Sequence, residues 1–133
     1  MTQLVFRYDT EDYVNEYAAE GVKNRVVICH NPFTQVLNPP FNIEGETYTE
    51  WARLLGEHVK PQFMLCGHMH NAYVSYVGSR WDNLGQPCPV IVAAQKRKDM
   101  PYCGGAITLT PNHCKVVFND NEGGIVGTEE FDV

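Results

Sequence analysis

A short glycine- and histidine-containing segment directly after an apolar run most constrains how this chain can fold. Phe63-Met64-Leu65-Cys66 is typical of a buried strand, and Gly67-His68-Met69-His70 follows it at once. Side chains two residues apart in extended backbone lie on the same face, so His68 and His70 are expected to converge. Gly67 is expected to let the backbone turn and approach an ion closely. The segment therefore predicts a metal-binding strand end.

A second apolar run also ends in a histidine. Residues Arg25 to Cys29 favour a strand, and His30 follows it directly. Imidazole is a common ligand for transition metals, but a His-x-His pair supplies only two of the four to six ligands that such ions need. Taken alone, any one of these histidines is more typical of a hydrogen-bonded loop or strand terminus than of a ligand. Their coincidence at two strand ends favours a shared metal site.

The order and flanking strands of these two segments resemble the calcineurin-like metallophosphoesterase superfamily, in which a histidine follows a hydrophobic strand and a Gly-His-x-His element comes later. The resemblance implies hydrolysis of phosphomonoesters or phosphodiesters by a water activated at two divalent ions of Mn, Fe, Zn or Ni. It implies that His30 and His68 bind one ion and that His70 binds the other. The neighbouring Asn31 and Asn71 are candidate substrate-binding residues.

Other motifs of that superfamily do not occur in this sequence: Asp-x-His, Gly-Asp-x-x, and Gly-Asn-His followed by an acid. Asn112-His113 lacks the preceding glycine and is interpreted as part of a turn. The expectation is therefore that residues 1–133 are one domain, the C-terminal portion of a truncated metallophosphoesterase catalytic domain. Alone, the chain is expected to bind metals weakly or not at all and to have little or no phosphatase activity.

The coarse pattern predicts an α/β fold of mixed α+β type, with a βαβαβ front half followed by mainly antiparallel strands. Such an order matches the C-terminal half of the superfamily's four-layer αββα sandwich. The helix predictions rest on an N-cap at Asp9 and on a capping box at Thr47 and Glu50. Short apolar runs bounded by turn residues predict strands over these ranges: Leu4 to Tyr8, Arg25 to Cys29, Phe63 to Cys66, Ala72 to Val77, Pro89 to Ala93, Ala106 to Thr110, Cys114 to Phe118 and Gly124 to Thr128.

The composition limits the classes of partner that this chain is expected to bind. The 133 residues are 44% hydrophobic, which is enough for a core, and carry a formal net charge of −6. An acidic chain without a long basic run is not expected to bind nucleic acid or an anionic membrane. Lys96-Arg97-Lys98 and Arg80 are possible contacts to a substrate phosphate. No apolar run approaches the ~18 residues of a membrane span, so a cytoplasmic location is expected.

The five cysteines show no paired short spacing, so no disulfide framework is expected. Cys29 and Cys66 precede the proposed ligands and invite a mixed zinc site, but both are interpreted as small core residues. Cys29 is expected to face away from His30, whereas Cys66 shares a face with His68 deeper in the sheet.

Two alternatives to a phosphoesterase segment stay open. One is a non-catalytic binding or oligomerisation module on the same scaffold, and the other is an unrelated mononuclear zinc protein that uses the three histidines. A sheet edge without its partner strand favours pairing with another chain, so a homodimer or strand exchange is also predicted.

Overall fold

The computed structural model describes residues 24–34, 45–93 and 104–133, which form a mixed α/β structure with two sheets. The α/β prediction is therefore confirmed at this level. Several expectations lie outside the described residues: the strand from Leu4 to Tyr8, the helix after Asp9 and the basic triplet at 96–98. No helix in the three described segments is long and apolar enough to cross a bilayer.

The first sheet has four strands, each close to a predicted apolar run. They are β1 (Val26–Cys29), β2 (Phe63–Cys66), β3 (Tyr73–Ser75) and β4 (Val90–Val92), in the spatial order β1-β2-β4-β3. The pairs β1·β2 and β2·β4 are parallel, whereas β3 runs antiparallel to β4. Parallel strands end at the same edge of a sheet, so the residues that follow β1 and β2 are neighbours.

Helix α1 (Gly45–Leu54) continues into a single π-helical segment, Leu55–Val59. The prediction of a capping box at Thr47 and Glu50 is wrong, because the helix already begins at Gly45 and Thr47 lies inside its first turn. Glu50 instead forms an ion pair with Arg53, with their N and O atoms 2.6 Å apart. The helix ends before Pro61, where Lys60 takes a left-handed conformation (φ 51°) directly after the last helical residue.

The second sheet is an antiparallel meander of β5 (Gly104–Thr110), β6 (His113–Asn119) and β7 (Ile125–Asp132). The predicted hairpin turn at Pro111 and Asn112 joins β5 to β6. In the second turn, the Asp120 carboxylate accepts the backbone N–H groups of Glu122 and Gly124 at 2.9 and 2.7 Å. The mainly antiparallel second half is thus confirmed, with β4 as its parallel member.

Two apolar clusters define the layers. The first lies between α1 and the first sheet and includes Tyr48, Met64 and Val90. The second joins the two sheets, with Phe63 and Ile91 of the first sheet against Val116 of the second. The described layers therefore follow the order helix, sheet, sheet, and the fourth layer of the αββα sandwich stays a prediction.

Candidate metal centre at the ends of two parallel strands

His30 and His68 lie in contact at the carboxyl ends of β1 and β2. The two strands pair in register from Val26 opposite Phe63 to Cys29 opposite Cys66. The Gly67 N–H then donates to the His30 carbonyl at 3.0 Å, which continues the ladder past the last strand residues. His68 Nδ1 is 3.3 Å from His30 Nε2, and the rings meet edge to face with their centroids 5.1 Å apart.

A tight turn, not extended backbone, places His68. The Met69 N–H donates to the Gly67 carbonyl at 2.7 Å, so His68 is the central residue of a three-residue turn. Both His68 (φ 66°) and His70 (φ 52°) are left-handed. The premise that these two side chains share a face of an extended segment is therefore wrong, because the strand ends at Cys66.

The role expected of Gly67 also changes. The left-handed residue is His68, so the turn does not depend on a positive φ at the glycine. A Cβ atom added to Gly67 would lie 3.5 Å from His30 Nδ1, which is an ordinary van der Waals contact. Gly67 contributes through its backbone N–H bond to the His30 carbonyl, and a side chain at this position would fit in contact with the His30 ring.

The facing nitrogens of His30 and His68 suit a shared ion. Two imidazole ligands on a tetrahedral zinc ion, each about 2.0 to 2.1 Å from it, are separated by about 3.3 to 3.4 Å. The observed separation is 3.3 Å. Within residues 24–34, 45–93 and 104–133, however, no three His, Cys, Asp or Glu side chains form a group that could hold a metal. The structure thus brings together two of the three predicted ligands and does not join His70 to them.

The predicted substrate contacts have other partners in the structure. Asn71 is exposed, and its side-chain oxygen accepts the Ala72 N–H at 2.9 Å. Asn31 is half-buried, and its carbonyl accepts the Cys29 thiol at 3.3 Å. Arg80 lies over the Trp81 ring, 4.8 Å from its centroid. A role of Asn31, Asn71 or Arg80 in substrate binding therefore stays a prediction.

A pair of thiols lies directly behind the histidines. Cys29 and Cys66 face each other across β1 and β2, with their Sγ atoms 3.6 Å apart. The hydrogen bond from Cys66 lowers the pKa of Cys29 and outweighs burial, which acts in the opposite direction. The same bond, together with burial, raises the pKa of Cys66. The interpretation of both as small core residues is confirmed, since Cys66 is buried in the first apolar cluster and Cys29 packs against that cluster. Sequence reasoning missed only their contact, because it could not show that the two strands are adjacent and in register.

An open cleft of about 450 Å³ gives solvent access to both thiols and to His30. Its lining comes from the last residues of β1 and β2 and those just beyond them: Ile28, Cys29, His30, Leu65, Cys66 and Gly67. Small ligands and oxidants can therefore reach His30 and the two thiols from one side.

Comparison with known proteins gives similar solved structures at low identity. One is a conserved uncharacterized protein of Streptococcus pneumoniae TIGR4 described as a predicted phosphoesterase, with 13% identity, a TM-score of 0.46 and coverage of 69% of this chain. Another is a single mutant of Vps29 from Entamoeba histolytica, with 12% identity, a TM-score of 0.43 and coverage of 86% of this chain. The chain spans 55% and 63% of the length of these two proteins. No protein-family model and no curated protein matches the sequence.

Proposed function

We propose that this chain supplies the histidine side of a divalent-metal phosphoesterase centre, with His30 and His68 on one ion and His70 on a second. The observation that carries the proposal is the 3.3 Å separation of His30 Nε2 and His68 Nδ1, which equals the spacing of two nitrogen ligands on one ion. The motif order described above supports the phosphate-ester substrate class. The ions would be two of Mn, Fe, Zn or Ni, and they would supply Lewis acidity and an activated water.

The chain's own residues orient the two rings for this role. The Gly67–His30 backbone bond holds the strand ends together, and the turn at His68 directs its Nδ1 toward His30. In a hydrogen bond between neutral rings, one of the two facing nitrogens carries a proton. Binding through both nitrogens requires the proton on the far nitrogen of each ring, so one imidazole must change tautomer.

Metal titration of the full chain tests the proposal. With zinc or manganese in a calorimeter, we expect His30→Ala and His68→Ala each to weaken binding by about tenfold or more, since each removes a ligand. The matched control is His58→Ala, because His58 is a partly exposed histidine of the π-helical segment and does not follow a strand. Equal affinity of the His30→Ala, His68→Ala and wild-type chains would exclude the site.

The same titration separates the alternative functions. One tightly bound zinc per chain that depends on His70 as well as on His30 and His68 would favour the mononuclear three-histidine site. For the non-catalytic module the decisive observation is instead the complete open reading frame, in which Asp-x-His, Gly-Asp and Gly-Asn-His motifs would establish the enzyme. In the proposed centre, p-nitrophenyl phosphate turnover by the metal-loaded chain alone is expected to be little above background, because a two-metal site needs a bridging ligand beyond these histidines.

A further inference from the structure

The two cysteines behind the histidines are close enough to form a disulfide bond. Cys29 and Cys66 are direct register partners on parallel strands. Neighbouring strands are about 4.7 to 4.9 Å apart, which lies within the ~4.4 to 6.8 Å range of Cα separations that disulfides span. Their Sγ atoms are 3.6 Å apart. Rotation of the side chains can therefore bring the sulfurs to bonding distance, about 2.05 Å, with the strands in place.

The surroundings distinguish this pair from the other thiols that the structure describes. Cys29 is half-buried, and both Cys29 and Cys66 line the open cleft at the strand ends. Cys88 is buried in the first apolar cluster and Cys114 in the second, and neither of them lines that cleft. Cys29, Cys66, Cys88 and Cys114 are all free thiols in this structure. An oxidant that enters the cleft meets Cys29 with a second thiol already beside it.

We propose that Cys29 and Cys66 form a redox-active dithiol that a hydroperoxide converts into a disulfide joining β1 to β2. In the first step, the Cys29 sulfur bonds to one peroxide oxygen, the O–O bond breaks, and Cys29 becomes a sulfenic acid as water or an alcohol leaves. In the second, the Cys66 sulfur attacks that sulfur, the S–O bond breaks, and the thiol proton leaves with the hydroxyl as water. The two thiols together lose two electrons, and one hydroperoxide gains them. This inference does not depend on metal binding.

Peptide mapping of the wild-type full chain tests the inference directly. The fully reduced, metal-free chain is treated with one equivalent of hydrogen peroxide, its remaining thiols are alkylated, and its peptides are analysed without reduction. We expect a peptide pair linked through Cys29 and Cys66 as the major product, two hydrogens lighter than the unlinked pair, and its loss after treatment with dithiothreitol.

Variants serve as matched controls. Cys29→Ser should abolish the linked pair, whereas Cys114→Ala should retain it, because Cys114 belongs to a different cluster. The inference is overturned if Cys29 and Cys66 are recovered alkylated, if either is recovered only as sulfinic acid, or if the main bridge joins other cysteines. Since the wild-type map alone decides between these outcomes, the result stands even where a variant does not fold.

Discussion

At the scale of single residues, the conformation of His68 links the candidate site to stability. A non-glycine residue at φ 66° is uncommon, and histidine is one of the side chains that tolerate this region better than most. Such backbone conformations cost energy and cluster at ligand sites, where the surrounding structure holds them. The turn therefore places the side chain of a proposed metal ligand where glycine would give the more stable fold.

This argument predicts the order of stability of two variants. His68→Gly should be more stable than His68→Ala by roughly 1 kcal/mol, because glycine adopts a left-handed φ without the steric cost that a Cβ atom imposes. Urea unfolding measures the difference. At His113, the first residue of β6, the order should reverse, since glycine is less favourable than alanine in the extended backbone of a strand. If the alanine variant were the more stable at both positions, the turn at His68 would carry no strain.

At the scale of elements, a side-chain hydrogen bond joins the two sheets. The Tyr76 hydroxyl, directly after β3, donates to the Glu129 carboxylate of β7 at 2.9 Å. Burial and this bond to an anion raise the pKa of Tyr76 to about 12. The neutral phenol is thus favoured in the folded state. Its contribution to stability is complete below the ordinary tyrosine pKa of about 10 and is lost as pH rises toward 12.

Alkaline titration followed by ultraviolet absorbance tests this contact. In Glu129→Gln, the pKa of Tyr76 should fall, but only part of the way to 10, because burial is its largest cause. Tyr76→Phe identifies which step of the titration belongs to Tyr76. Tyr48, whose pKa burial also raises to about 12, lies in the other cluster and should titrate unchanged. Movement of both tyrosines would show a general loosening of the fold.

The same scale shows what sequence patterns could predict. Short apolar runs located β1, β2 and β4 within a residue or two, because buried strands leave a strong local signal. The start of α1 was misplaced, since Thr47 and Glu50 fit a cap equally well whether or not the chain is already helical. The meeting of His30 with His68 could be expected from strand ends, whereas the left-handed turn and the Cys29–Cys66 contact depend on register, which no local pattern encodes.

At the scale of the whole molecule, β1 is an edge strand of the four-stranded sheet as far as the structure describes it. Ile28 on this strand is 77% exposed and Val26 is 39% exposed. Edge strands with exposed apolar side chains favour pairing with another chain. The homodimer predicted from the sequence is therefore proposed to form through β1 of two copies.

Sedimentation over a range of concentrations tests this association. The wild-type chain should show a dimer at high concentration, and Ile28→Lys should shift it toward monomer, because a charge on an edge strand opposes pairing. Val77→Lys is the matched control, since Val77 is 59% exposed but lies in the turn after β3 and not on an edge strand. A wild-type chain that stays monomeric at the highest concentration would contradict the proposal.

The backbone bond from Gly67 to His30 ties the turn that carries His68 to the end of β1, so the distance between the two histidines depends on the sheet as well as on that turn. Neighbouring strand ends separate only when their ladder frays. The backbone that carries the two rings is therefore held together by the β1·β2 ladder. The separation of the two histidines should therefore follow the local stability of the β1·β2 pair. Conditions that loosen this pair should move His30 and His68 apart before the rest of the molecule unfolds.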